Sequence, residues 1–415
     1  MLKHLHLWLL ACSVCAFSTP AFSADAITDW NEKAVALVSE QKLLPPQAER
    51  VMACVHVAMF DAVNSIGPRY RPYRHAIPAT ANASKSAAAA AAAATVLVGL
   101  HPERAKQTNA DLAAYLAKLP QGAAKSEGIK LGREIAARTL ADREKDGSAV
   151  PDAYRPKTRP GVYVPTPITA SSMWPEVKPF VMTGPAQLRP PPPVSLASRE
   201  WAADYNELKR LGGKNSSERS AQQTEDARFW LITGPASYYP IVRQLTVAKK
   251  MDLVDSARYM ALVAIATADA YIAVFDGKYH YDFWRPITAI RNGDIDGNAA
   301  TERVATWQPI DNTPMHPEYP CAHCITAAAV ATVSKAVMGG ADIPEVAMTS
   351  ATAPGVTHRW RNLDAYADEV SMARIYAGFH YRFSTRVGQD MGRKVGRMAV
   401  QNALQPKSAL PAHRP

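Results

Sequence analysis

Apolar residues recur along this chain with the spacing of helices. The run MACVHVAMFDAV (52–63) places apolar side chains three and four positions apart, and Gly67-Pro68 follows it as a stop signal. Eight consecutive alanines at 87–94 favour another helix, because alanine is the strongest helix former. No alternation of period two is long enough to demand a sheet, so the pattern predicts an all-α protein. The predicted helices cover 29–66, 82–99, 103–118, 124–145, 198–209, 218–232 and 245–277.

A proline-rich segment separates two helical parts of the chain. Residues 151–193 hold 12 of the 32 prolines, four of them in a row at the end of the segment. Such a segment cannot be helical and has few backbone donors for a sheet. We therefore predict two helical bundles, at 24–150 and 198–415, joined by a long ordered crossover at 151–197.

Residues 1–23 have the pattern of a secretory signal peptide. Lys3 precedes an apolar run, and Ala21-Phe22-Ser23 places small residues before a cleavage point ahead of Ala24. The run is shorter than the roughly 20 apolar residues that span a bilayer, and no later stretch is expected to be long and apolar enough to span one. A lipid-anchored start at Cys12 is the alternative. The mature protein is thus expected to be exported, to the periplasm or outside the cell, without a membrane span.

The charge balance favours an anionic ligand. The chain has 47 Lys and Arg against 37 Asp and Glu, a net charge of +10. This excess is spread along the chain rather than gathered in one arm, which argues against a nucleic-acid partner. Beyond the signal peptide only Cys54, Cys321 and Cys324 remain, so the protein is not built on a disulfide framework. Its stability must come from a large core.

The first of three segments that carry candidate chemistry contains Lys278 and Arg285. They are seven residues apart, which would place both on one side of a continuous helix, although Pro286 disfavours such a helix. A solvated basic face is the alternative. Aromatic residues between the two charges argue against it, namely Tyr281, Phe283 and Trp284.

The second segment, 316–324, precedes an apolar helix. Pro320 lies where that helix begins and 339–340, two glycines, where it ends, so backbone N–H groups at 321–323 are available to an anion. His323 could give a proton to that anion or to a leaving group. A disulfide or redox pair of the two cysteines is one alternative. A zinc site, which would lack a second ligand cluster, is another, with the candidate ligands His316, Cys321, His323 and Cys324.

In the third segment, Arg374 and His380 flank a glycine. The helical pattern of 364–377 stops at Gly378, and Ser384 is predicted to cap a final helix that ends near residue 404. The three segments together offer three cations, a helix start and two histidines. That set suits a tetrahedral or trigonal oxyanion, whose oxygens are neutralised by cations and amides.

The order K-x6-RP, P-x-x-H and R-x5-H resembles the signature of the acid phosphatase/vanadium-dependent haloperoxidase superfamily, usually written KxxxxxxRP, PSGH and SRxxxxxHxxxD. Here 33 residues separate Pro286 from Pro320 and 49 separate His323 from Ala373, spacings that fit that family. The stretches WNEKAVALV, MACVHVAMFDAVNSI and FWRPITAIR extend the resemblance to the soluble bacterial haloperoxidase branch, over most of the mature chain.

The resemblance implies an all-α fold of two helical bundles and a site for vanadate, which phosphate could also occupy. It implies that His380 is the metal ligand and His323 the acid or base. The implied reaction is the oxidation of a halide by hydrogen peroxide, with a small organic acceptor. The implied ligands of the oxyanion are Lys278, Arg285, Cys321, Ala322, Arg374 and His380.

Departures from the motif keep two alternatives open. Cys321 replaces its Ser, Ala322 its Gly, Ala373 the Ser before the arginine, and Ser384 the last Asp. A thiol donates a weaker hydrogen bond than a hydroxyl. One alternative is a periplasmic acid phosphatase that forms a phosphohistidine at His380 and hydrolyses a phosphomonoester. The other is a non-catalytic oxyanion-binding protein. Neither the halide nor the oligomeric state follows from the sequence.

Overall fold

The computed structural model describes residues 25–165 and 168–407, and these residues are mostly helical. The predicted signal peptide at 1–23 lies outside the described residues. The helices of the first half are α1 Ala26–Glu40, α2 Pro45–Ile66, α3 Lys85–Leu100, α4 Ala105–Ala117 and α5 Ala123–Arg143. Those of the second half are α6 Arg199–Leu211, α7 Ala221–Phe229, α8 Tyr239–Ala248, α9 Leu253–Tyr281, α10 Pro286–Arg291, α11 Ala322–Met338, α12 Leu363–Tyr376 and α13 Arg382–Asn402.

Two predicted helices are each divided in the structure. The span 29–66 contains α1 and α2, because Pro45 and Pro46 have no backbone N–H and are tolerated only in the first turn of a helix. The span 245–277 contains the end of α8 and most of α9. Asp252 separates them as the N-cap of α9, where its carboxylate accepts hydrogen bonds of 3.0 Å from two backbone N–H groups.

A two-stranded antiparallel hairpin, β1 (Asp342–Ser350) with β2 (Ala353–Asn362), corrects the expectation that the chain has no sheet. The hairpin lies between α11 and α12. Shifts in register interrupt the pairing, and the buried positions of β1 do not alternate strictly. Because such irregularities break the period of two, the strands leave no clear alternation in the sequence.

The alanine run forms a buried helix in the first half. Residues 87–94 are at most 1% exposed, and α3 lies against α5. The two backbones come close at glycines of α5. A Cβ on Gly128 would lie 2.4 Å from the carbonyl oxygen of Ser84, and one on Gly132 2.2 Å from that of Ala88. Small residues on both helices therefore make this close packing possible.

Helix α9 is the centre of the core. It has 29 residues with a window of mean hydropathy 1.5, so by length and composition it could cross a membrane, yet that window is wholly buried within the protein. The expectation that no stretch after the signal peptide is long and apolar enough to span was therefore wrong. Helices α2, α11 and α13 surround α9, and one continuous apolar cluster joins both halves of the chain.

The proline-rich crossover has no α-helix among its described residues and is attached to α9 by side chains of that helix. The Asp269 carboxylate accepts hydrogen bonds of 2.7–2.8 Å from the backbone N–H groups of residues 180–182. Asp276 and Arg189 form two parallel hydrogen bonds of 2.7 Å. These contacts hold the crossover beside the C-terminal part of α9, where the first candidate cation lies.

Helices α11 and α13 are brought together by a row of glycines on α13. A Cβ at Gly388 would lie 2.6 Å from the carbonyl oxygen of Cys321, one at Gly392 2.1 Å from that of Ile325, and one at Gly396 2.9 Å from that of Ala329. Their spacing of four residues places them on one face of the helix. This contact fixes the first turn of α11, which carries His323.

Candidate active site

Lys278 and Arg285 do not share a helix. Lys278 is in the last turn of α9, which ends at Tyr281, and Asp282 follows in the left-handed conformation with φ 54°. Arg285 then adopts an extended conformation as the residue that precedes α10. Pro286 begins α10, so the helix break that the proline predicts is present.

The two cations meet at the loop 316–318 instead. Lys278 Nζ donates to the carbonyl oxygens of Pro317 (2.9 Å) and Glu318 (2.7 Å). Arg285 Nε donates to the carbonyl oxygen of His316 at 2.8 Å, and its Nη2 lies 2.9 Å from His316 Nδ1. The loop thus takes the place of the shared helical face that the spacing of the two cations suggested.

Helix α11 begins at Ala322, with Cys321 as its N-cap. The Ala322 N–H is in the first turn and has no partner within the helix. His323 follows, and its Nε2 lies 3.1 Å from the carbonyl oxygen of Ile232. A carbonyl accepts only from N–H, so this contact places the proton of a neutral imidazole on Nε2 and the lone pair on Nδ1.

Cys321 corrects the expectation of a thiol donor to the oxyanion. It is bonded to Cys324 as a disulfide, so it has no S–H to donate, and it does not line the cavity described below. The disulfide also argues against the zinc alternative, since both candidate thiolates are consumed and His316 is engaged by Arg285.

The junction of α12 and α13 carries Arg374 and His380. Gly378 has φ +79°, and a Cβ there would lie 2.4 Å from the carbonyl oxygen of Gly212, so the chain can turn here only with glycine. The N-cap of α13 is Tyr381, not Ser384. Ser384 lies in the first turn and is fully buried, which corrects its predicted role.

A cavity of about 300 Å³ brings the histidines and one cation together. Its polar side is lined by His316, His323, Arg374 and His380 and by the start of α11 at Ala322. Its apolar side is lined by Tyr271, Phe275 and Phe379. A wider, open depression of about 1010 Å³ lies beside it. Both are lined by the segment 311–315, and Arg285 lines the outer one. The inner cavity is the candidate site because both histidines face it.

Three buried cations define the electrostatics of the site. Lys278, Arg285 and Arg374 are 0%, 1% and 2% exposed. In the described part of the chain, the partners of these cations are main-chain carbonyls and, for Arg285, imidazole nitrogens, while Arg374 Nε is buried without a partner. Burial lowers the pKa of Arg285 to about 10 and of Arg374 to about 9, and lowers that of Lys278 strongly. Buried charges need compensation, so this site is built for an anion.

Glu318 fixes the orientation of His380 and was not predicted from the sequence. Its Oε1 lies 2.7 Å from His380 Nδ1 and accepts the Tyr381 N–H at 3.1 Å. Since a carboxylate can only accept, Nδ1 carries the proton and Nε2 keeps its lone pair. Nε2 lies 3.5 Å from Arg285 Nη1. Burial raises the pKa of Glu318 to about 7, opposed by Lys278 and Arg285.

Both histidines are neutral in the free protein. Burial, and next the charge of Arg374, lowers the pKa of His323 well below its usual value. Burial and the charge of Arg285 do the same for His380. Burial is the largest cause for both histidines. A neutral His380 is suited to bind a metal or attack an electrophilic centre, and a neutral His323 to accept a proton.

Comparison with known proteins finds a similar domain family over the part of the chain that holds this site. The family described as the VCPO second helical-bundle domain matches residues 258–407, which include every candidate site residue of the three segments. This part of the chain is thus similar to that domain family. The vanadium chloroperoxidase of Curvularia inaequalis is 30% identical over 168 residues, which cover 34% of this chain. The match spans 28% of the chloroperoxidase's length.

Solved structures show that the vanadium haloperoxidase fold extends over most of the chain. A structure described as the first bacterial vanadium-dependent iodoperoxidase superposes with a TM-score of 0.80 and 22% identity, over 92% of this chain and 98% of the other. An apo-type bacterial vanadium-dependent chloroperoxidase gives a TM-score of 0.69 at 15% identity, over 86% and 93%. The resemblance and the all-α fold are thereby confirmed.

Proposed function

We propose that this protein is a vanadate-dependent haloperoxidase that oxidises a halide with hydrogen peroxide. The observation that carries the proposal is the set of three buried cations around an imidazole whose free nitrogen is fixed by Glu318. An oxyanion such as vanadate or phosphate fits this set, because it balances the cations and offers oxygens to their remaining N–H groups. Bound vanadate would supply a Lewis-acid centre at which peroxide becomes an oxidant for halide.

Each residue has a role that follows from its position. His380 Nε2 would ligate the metal, and Glu318 holds the ring in the orientation and tautomer that make this possible. Lys278, Arg285 and Arg374 would hold the oxygens together with the Ala322 N–H. His323 would take and return protons at Nδ1, because Nε2 is directed to the Ile232 carbonyl.

Substrates would enter through the outer depression. This depression is large enough for a small organic acceptor and shares the segment 311–315 with the inner cavity.

We also propose that the chain is exported after cleavage before Ala24. Mass spectrometry of the exported protein tests this, and a mature start at a lipidated Cys12 would overturn it.

A phosphatase that uses the same residues is the second candidate. The lone pair at His380 Nε2 that suits a metal also suits attack on phosphorus. His323 would then protonate the leaving oxygen with a proton that it first takes up at Nδ1. The assay is therefore run in two arms. One arm contains vanadate, hydrogen peroxide and iodide, bromide or chloride, and the other contains a phosphomonoester without vanadate.

The expected result is vanadate-dependent halide oxidation that Arg374→Ala abolishes. Arg138→Ala, which removes an exposed arginine on α5, is the matched control and should keep full activity. Phosphate release without halide oxidation would establish the phosphatase instead. Anion binding with neither activity would establish a non-catalytic oxyanion-binding protein.

A further inference from the structure

A second group of titratable side chains lies outside the cavity, where α7, β2 and α12 meet. Asp226 on α7, His358 on β2 and Glu369 on α12 each offer one ligand atom, and the three atoms lie within 4.8 Å of one another. None of these residues lines the oxyanion cavity. The group therefore needs an explanation of its own.

The imidazole of His358 has an acid on each side. Nδ1 lies 2.6 Å from Glu369 Oε1, and Nε2 lies 3.6 Å from Glu225 Oε1. The His358 side chain is only 8% exposed, and its Nε2 is buried without a hydrogen-bond partner. Carboxylates only accept hydrogen bonds, and a neutral imidazole has one N–H and one nitrogen lone pair. One of the two carboxylates therefore faces that lone pair, and the contact is repulsive. Either a bound cation or a second proton removes this conflict.

The side chains are held in place before any ion arrives. The His358 ring stacks on Phe229 with 3.9 Å between ring centres and 7° between planes. Glu369 accepts a hydrogen bond from the indole N–H of Trp230 at 3.0 Å and from that of Trp360 at 2.8 Å. Such outer contacts orient metal ligands in proteins, and they reduce the entropy that ion binding would otherwise cost.

We propose that His358 Nε2, Asp226 and Glu225 bind a divalent transition-metal ion of the Zn²⁺ class, while Glu369 accepts the His358 Nδ1–H and orients the ring. An imidazole with carboxylates is a donor set for zinc, whereas calcium and magnesium prefer oxygen alone. Two ligands about 2.1 Å from a tetrahedral ion are roughly 3.4 Å apart, which the Nε2 to Glu225 distance of 3.6 Å matches. Glu225 is 42% exposed and gives the ion a path from solvent.

This ion would stabilise the segment that forms one side of the oxyanion site, without contacting the reactants. Trp230, at the end of α7, donates its indole N–H to Glu369 and gives its carbonyl oxygen to Arg374. The carbonyl of Ile232, two residues on, contacts His323. A cation that joins α7 to β2, on an imidazole that Glu369 of α12 orients, would therefore fix the segment that positions both residues.

Zinc binding by the full chain tests the proposal directly. Protein stripped of metal is titrated with Zn²⁺ alone by calorimetry, and melting temperatures are recorded with and without Zn²⁺. The variants are His358→Gln and Asp226→Asn. The matched control is His75→Gln, because His75 Nε2 also faces a carboxylate, Asp142 at 2.9 Å, but only one.

We expect one equivalent of Zn²⁺ to bind the wild type and the control, and to raise their melting temperatures. Both cluster variants should weaken this binding at least about tenfold. If His358→Gln fails to fold, Asp226→Asn, whose side chain is partly exposed, decides the question. Equal Zn²⁺ binding by the wild type and a folded cluster variant, or no binding by the wild type, would overturn the proposal and leave a second proton on His358.

Discussion

Replacing Glu318 with glutamine separates metal ligation from simple anion binding. Glutamine preserves the shape of the side chain, and its amide oxygen can still accept the His380 Nδ1–H now held at 2.7 Å. What is lost is the negative charge. A hydrogen bond to a charged partner contributes about 1.5–3 kcal/mol and a neutral one about 0.5–1.5 kcal/mol, so the His380 contact should weaken by about 1–1.5 kcal/mol. The basicity of Nε2 falls with it.

The same substitution has the opposite effect on an anion that binds by charge alone. Glu318 is a carboxylate beside Lys278 and Arg285, both of which act on its pKa, so its removal leaves the site more positive. Vanadate, which would need His380 as a ligand, should therefore bind about tenfold more weakly. Phosphate held by the cations without covalent attachment should bind as well as before or more tightly.

Equilibrium dialysis at pH 8.5 measures both affinities, since Glu318 with a pKa of about 7 is ionised there. Glu134→Gln, which removes an exposed carboxylate on α5, serves as the control. If vanadate and phosphate weaken by the same factor in Glu318→Gln, the carboxylate is a general structural contact. If vanadate affinity is unchanged, His380 does not ligate the metal through a nitrogen that Glu318 orients.

Three further outcomes follow from the structure. His380→Ala should lose vanadate on gel filtration, whereas His323→Ala should keep vanadate and lose turnover, because in the proposed function only His380 would ligate the central atom. Metal content measured beside bromide oxidation checks this. Replacing Cys321 and Cys324 together by serine should lower the free energy of unfolding by about 2 kcal/mol in urea, since the disulfide closes a loop with a sequence separation of only 3. The substitution Glu49→Gln should increase the free energy of unfolding by about 3 kcal/mol more at pH 8.5 than at pH 5.5. Burial raises the Glu49 pKa from 4.5 to about 8, so the folded state holds a proton that the unfolded state has released, and wild-type stability falls as pH rises between these values.

Each of these outcomes has a control or a contrary result. Loss of metal from His323→Ala with retention in His380→Ala would reverse the two roles. For the disulfide, a reducing agent should destabilise the wild type by the same amount and leave the double serine variant unchanged. For the buried acid, Glu134→Gln should show no pH-dependent gain. An equal effect of Glu49→Gln at both pH values would mean that Glu49 is not protonated in the folded protein.

Sequence spacing predicted that the cations and the histidines lie near one another, because local signals fix their places in the chain. Their roles stay predictions. Pro286 ends the extended segment at Arg285, and Gly378 allows the chain to turn between Arg374 and His380. These are properties of backbone geometry, which single residues determine. The motif therefore predicted which residues lie near one another, but it did not predict the contacts that hold them there.

The parts that could not be predicted depend on contacts between distant segments. Glu318 is a single carboxylate in a loop, and only the folded chain places it against His380, 62 residues later. The pairing of the two cysteines was left open because a C-x-x-C sequence suits a disulfide, a redox pair and a metal site alike. The hairpin escaped detection because its bulges remove the alternation that marks a strand.

These contacts also change how the departures from the family motif should be understood. Cys321 stands where the motif has serine, and as part of a disulfide it no longer offers a donor, so the anion would depend more on the backbone N–H at Ala322 and on the three cations. Ser384 stands where the motif has aspartate, yet a carboxylate is present at His380 because Glu318 supplies one from another segment. Since neither change removes a cation, a histidine or the acid on His380, the departures do not exclude catalysis. Anion binding should therefore depend mainly on charge. Losing one of the buried cations is expected to weaken anion binding more than either replacement in the motif does.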